Sequence, residues 1–191
     1  MPHEHDAARN LKDLPYFRLN LCLSALIILI QLTGGILSGS KALIVDTAHV
    51  FTHAATEVLV IIALWTGSKK IDRVGSRLII FLLLFLFVPW LMWEAVERYL
   101  KPESIIAPIM FWATILGLLG NAAQRFIVRG RGLSSKSADR YKLCLDTDIY
   151  SSLGVLLGAI IIYFNPAWLI VDTLIAFAIA VWIIRKVIKM A

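Results

Sequence analysis

Three residues whose types and spacing could do chemistry stand in the segment GSKALIVDTAHVFTHAATE: His49, His53 and Glu57, at i, i+4 and i+8. On an α-helix this spacing lines them along one stripe that drifts by about 40° per step. Two imidazoles and a carboxylate are expensive against lipid, so the stripe is expected to face a bundle interior or a wet cavity, as half of an intramembrane metal site. The other half is sought in KLCLDTDIYSSLGVLLGA, where Cys144 and Asp148 lie one turn apart. Asp146 lies about 200° around the helix from Cys144. Two imidazole nitrogens, a thiolate and a carboxylate form a set that zinc accepts tetrahedrally. With Cys144 and Asp148 ionised, their charge offsets that of a divalent cation. The thiolate steers the site toward zinc or cadmium and away from magnesium, calcium or manganese.

Further polar residues make a secondary set or proton path. Asp46, three residues before His49, is expected to steady the cavity mouth. Glu57 either extends the metal or proton route or joins a polar cluster with Gln31. Asp172, early in the last apolar block, is read as a gate partner or helix tether, since an intramembrane carboxylate needs a partner. Asn121 is read as locking helix packing. Ser151, Gly154 and Gly158 form a strip of small residues that would let another helix approach closely. His3 and His5 flank Glu4 in a polar tail that is expected to be disordered.

The elements that must position these groups are membrane helices. The 191 residues are 59% hydrophobic and 17% charged, and the apolar residues fall in blocks long enough to span a bilayer. Six spans are expected, over about 19–37, 42–66, 78–99, 105–128, 143–164 and 168–184, after a polar tail at 1–18. They form one transmembrane domain over 19–188, an all-α six-helix bundle with no soluble carboxyl-terminal domain expected after it. In the third span Pro89 should kink the helix, with Trp90 and Trp93 near an interface.

Of the 19 lysines and arginines, all but Lys41, Arg98 and Lys101 fall in the amino-terminal tail, in or at the edge of two basic loops, and at the carboxyl end. That asymmetry places both termini in the cytoplasm. The net charge of +6 is accounted for by these flanks, so nucleic acid is not an expected partner. Cys22 and Cys144 lie in or beside apolar segments and suggest no disulfide framework. The first residues lack the pattern of a cleaved signal peptide.

With these residues in view, the chain resembles the cation diffusion facilitator family across nearly all of its membrane region. The resemblance rests on LTGGILSGSKALIVDTAH, WEAVERYLKPES, GLLGNAAQRF, DIYSSLGVLLGAIII and LIVDTLIAFAIA in that order. It implies six-helix exporters that exchange zinc or related divalent metals for protons, with two ligands four apart on the second helix and two on the fifth. The matching positions are His49 and His53, then Cys144 and Asp148. His53 stands where the family usually has Asp, and Cys144 where it usually has His. The family's frequent histidine-rich loop before the fifth helix has no counterpart here.

The function expected is metal/proton antiport, with zinc as cargo and cadmium tolerated, in the cell membrane. No prosthetic group is expected, and any homodimer would form through membrane helices, the aromatic-rich third among them. The rival is a relative that has lost transport and serves as a metal-binding or assembly partner. An enzyme is disfavoured because no HExxH motif or nucleophile and base pair accompanies the stripe.

Overall fold

The computed structural model describes residues 3–66, 104–130 and 136–190, with a few isolated positions between 89 and 101. Among the described residues the fold is all-helical: α1 (His3–Ser38), α2 (Lys41–Thr66), α3 (Ala107–Gly130), α4 (Lys136–Phe164) and α5 (Ile170–Met190). Three helices are long and apolar enough to cross a membrane, Leu14–Ser38, Ala107–Arg129 and Leu145–Phe164, and Ile170–Trp182 is a shorter apolar helix. The expected third span at 78–99 lies almost wholly outside the described residues, as do its surface for dimerisation and the Lys69–Arg77 loop.

The amino-terminal tail differs from expectation. Instead of disorder before a first span at Leu19, α1 is continuous from His3 and runs through Pro15. The tail places Ala7, Ala8, Arg9, Leu11, Lys12 and Leu14, which cost little in a helix, next to an apolar run that is helical anyway. The side chains of His3 and His5 lie outside the described residues.

α1 and α2 form a tight hairpin. Gly39 adopts φ 71°, the left-handed conformation that closes a helix without a Cβ penalty. Ser40 then caps α2, its Oγ accepting from the Leu43 N–H at 3.1 Å. α3 packs on α1 and on α4, while α2 packs on α1, α4 and α5. At one end of the bundle Leu43, Met110, Val155 and Ala176 belong to a buried apolar cluster.

Elsewhere the polarity is that of a membrane protein. Leu29, Ile36, Phe126, Phe164 and Leu174 are exposed, while Gln31, Asp46, Glu57, Asn121, Gln124, Asp148 and Asp172 are buried. Lipid solvates the first group, and the second must be satisfied by one another.

Close approach in this bundle comes from α1 and α3. A Cβ on Gly34 would collide with Ala113, and one on Gly117 with the Gln31 side chain. The small-residue strip on α4 behaves differently from expectation. Among the described residues a Cβ on Gly154 would meet nothing, whereas one on Gly158 would lie 2.6 Å from Ile175 of α5.

Candidate metal centre

His49 and His53 project from successive turns of α2, and Asp148 faces them from α4. His49 and Asp148 are fully buried, and His53 is half-buried. The three ligand atoms form a near-equilateral triangle. His49 Nε2 is 3.3 Å from His53 Nε2, and Asp148 Oδ1 lies 3.3 Å from His49 Nε2 and 3.4 Å from His53 Nε2. The imidazole rings meet edge to face with centroids 4.5 Å apart. Trp182 of α5 lies beside His49, its ring centroid 6.1 Å away.

Those edges have a meaning in coordination chemistry. Ligand atoms about 2.05 Å from a tetrahedral ion stand about 3.3 Å apart. Neighbouring ligands about 2.05 Å from an octahedral magnesium stand about 2.9 Å apart. The triangle could therefore hold a metal ion as one face of a tetrahedron.

The pairing of α2 with α4 also has a direction. Asp46 meets Ser151 and Ser152, and three residues later His49 meets Asp148, so the chain rises on α2 as it falls on α4. Continued by one turn, that antiparallel register sets His53 across from residue 144. Cys144 lies within α4, and its side chain is outside the described residues.

The remaining carboxylates have separate environments. Asp46 accepts from Ser151 Oγ at 2.5 Å, from Ser152 Oγ at 2.8 Å and from Gln31 Nε2 at 3.0 Å. Glu57 accepts from Ser24 Oγ at 3.3 Å, and Gln124 donates to that same Ser24 Oγ at 2.8 Å and to the Asn20 carbonyl at 2.9 Å. Gln31, which one of the two readings of Glu57 places beside that carboxylate, instead reaches Asp46 from lower on α1, and Ser24, about two turns away, meets Glu57. A helical stripe tells which face a residue occupies but not which neighbour it meets.

Asp172 accepts from Ser40 Oγ at 2.6 Å and from the Lys41 and Ala42 N–H groups at 2.7 and 3.3 Å. These are orphan donors of the α2 amino terminus, capped from another helix. Asn121 Nδ2 donates to Ser152 Oγ at 3.4 Å, linking α3 to α4. Asp146 turns away from the centre and pairs with Arg125, Nε to Oδ1 at 2.5 Å and Nη2 to Oδ2 at 3.2 Å.

Sequence reasoning missed three partners, namely the Ser151 and Ser152 hydroxyls on Asp46, Trp182 beside His49, and Arg125 on Asp146. A signal was present for the first: two adjacent serines one turn beyond Asp148 are donors that a buried carboxylate needs.

A family model described as the cation efflux transmembrane domain matches residues 18–191. The chain belongs to this family. A cation efflux chain of this kind is an integral membrane protein, consistent with the three apolar spans among its described residues, and the family comprises transporters.

The chain is 29% identical to the metal cation efflux system protein CzcD of Cupriavidus metallidurans, over 96% of this chain and 60% of that protein. It is 27% identical to the zinc transporter ZitB of Yersinia pseudotuberculosis, over 86% of this chain and 56% of that protein. It is 25% identical to the cadmium, cobalt and zinc/H(+)-K(+) antiporter of Bacillus subtilis, over 97% and 62% respectively. The cation efflux chain therefore spans 56–62% of the length of these relatives.

Proposed function

We propose that this cation efflux chain carries a divalent metal out of the cytoplasm across the cell membrane in exchange for protons, with zinc as the principal cargo and cadmium tolerated. The observation that carries the reading is the triangle of His49 Nε2, His53 Nε2 and Asp148 Oδ1, whose edges of 3.3, 3.3 and 3.4 Å suit tetrahedral coordination. Cys144 is the fourth ligand in this proposal, supported by its place one turn before Asp148 and across from His53. A thiolate there would bring the ligand charge to minus two and favour a soft divalent ion.

Protons and metal compete for the same atoms. Imidazole must be neutral and the thiol deprotonated to bind, so metal loading releases protons and acidification on the far side drives metal off. The site lies between α2 and α4 within the bundle, so release requires these helices to open alternately toward each face. Six membrane spans with both termini cytoplasmic, and a homodimer formed through membrane helices, complete the proposed assembly. Glu57, one turn beyond His53 on the same stripe, is assigned to the proton route, and Asp172 to fixing the end of α2. The names of the zinc, cadmium and proton-coupled relatives support the choice of cargo and counter-ion.

Zinc uptake into proteoliposomes under an imposed proton gradient tests this. Wild type is expected to transport and His49→Ala to be inactive. Zinc flux independent of His49 would sink the site assignment, and no flux in wild type that still binds zinc would favour a metal-binding partner without transport.

A further inference from the structure

The metal triangle spans two helices, so its edges depend on how α2 sits against α4. Coordination requires atoms to be held within about 0.5 Å, and helices in lipid associate by van der Waals packing and interhelical hydrogen bonds, without a hydrophobic force between them. A specific polar contact beside the site is therefore suited to fix that register.

Asp46 occupies the place where such a contact would act. It precedes His49 by three residues on α2, as Asp148 precedes Ser151 by three on α4. The two helices are thus joined by two neighbouring rungs, separated by about 4.5 Å along each axis: Asp46 with Ser151 and Ser152, then the histidines with Asp148. Ser151 Oγ lies between the rungs, 2.5 Å from Asp46 Oδ1 and 3.0 Å from the Asp148 carbonyl oxygen.

Two more helices brace this junction. Gln31 of α1 donates to Asp46 Oδ2. Gly117 of α3 leaves the space that the Gln31 carboxamide fills, and Asn121 of α3 reaches Ser152. Asp46 itself is not one of the three clustered ligand residues.

We propose that Asp46 is a positioning residue that latches the Asp148 turn of α4 onto α2 through Ser151 and Ser152, and so sets the distances of the metal site. This rests on the reading of His49, His53 and Asp148 as ligands. A carboxylate suits the task because it accepts several short bonds at once, and bonds to a charged acceptor are stronger than neutral ones. The carboxamide of Asn would replace one acceptor oxygen by a donor facing hydroxyl and amide donors.

The test uses the whole chain in nanodiscs, with zinc affinity from chelator competition and the visible spectrum of bound Co2+ as a report of tetrahedral geometry. Asp46→Asn is expected to lower zinc affinity by about 10- to 100-fold, the usual range for an outer-shell partner, and to weaken the tetrahedral Co2+ bands. Ser151→Ala/Ser152→Ala should change both readouts in the same direction and carries the test if Asp46→Asn does not fold. Combining all three substitutions should cost no more than Asp46→Asn alone, because one contact is being removed twice.

Wild-type affinity and spectrum in Asp46→Asn, or losses that simply add, would overturn the latch. His49→Ala separates the two claims. If it abolishes the Co2+ bands while Asp46→Asn leaves them intact, only the latch fails; if it retains them, the ligand assignment fails first.

Discussion

Replacing Asp148 by Asn isolates the charge of the proposed centre from its shape. The side chain keeps its length and volume, so the buried site between α2 and α4 should refill without a cavity. Two changes follow from the geometry. The carboxylate within 3.3–3.4 Å of both imidazole nitrogens is lost, and a carboxamide N–H can turn toward the imidazole lone pairs that should bind metal. A divalent ion would then sit among two neutral imidazoles and at most one thiolate, leaving uncompensated charge in a membrane interior. Loss of an outer-shell partner already costs about 10- to 100-fold in metal affinity. Removing a coordinating anion should exceed the upper figure, so Asp148→Asn is expected to weaken zinc binding by more than about 100-fold, or about 2.8 kcal/mol. Isothermal titration of zinc into the purified protein measures this directly, with circular dichroism reporting that helices persist. Unchanged affinity in a folded Asp148→Asn variant would refute the reasoning, because no arrangement of the triangle binds a divalent ion indifferently to its only carboxylate.

Other perturbations probe the parts around the site. Asp172→Ala removes the cap on the amino terminus of α2 and should cost about 0.5–2 kcal/mol, visible as a lower midpoint in thermal unfolding; an unchanged midpoint would mean that water caps α2 equally well. Gly117→Ala forces a methyl group into the Gln31 carboxamide and should destabilise the bundle by about 1–3 kcal/mol, whereas Gly154→Ala, which meets nothing within 4 Å among the described residues, should be tolerated; equal losses in the two would contradict the packing described. Zinc affinity should fall as pH is lowered, since protons compete for both imidazoles, and a pH-independent affinity would argue against histidine ligands.

The stripe of His49 and His53 was legible because helical periodicity brings i and i+4 together on one element, and the same rule singled out Asp148 on another. Which residues meet across helices was not legible. Gln31 could reach toward Asp46 or Glu57, and only the vertical offset between α1 and α2 assigns it to Asp46. The helical tail from His3 is not legible from its polar composition, although Ala7, Ala8, Arg9, Leu11 and Lys12 extend an existing helix at little cost. Gly154 illustrates the converse: its type suggests close approach, but among the described residues no side chain or backbone stands within 4 Å of where its Cβ would be. The cap by Asp172 lies 131 residues from Lys41 in sequence, beyond the reach of any local pattern.

The most direct test of the account is zinc K-edge X-ray absorption on the zinc-loaded protein. The proposed site predicts a four-coordinate ion with two imidazoles and a carboxylate oxygen at about 2.0–2.1 Å and, from the proposed fourth ligand Cys144, one sulfur at about 2.3 Å. A six-coordinate shell of oxygen with no imidazole scattering would contradict it.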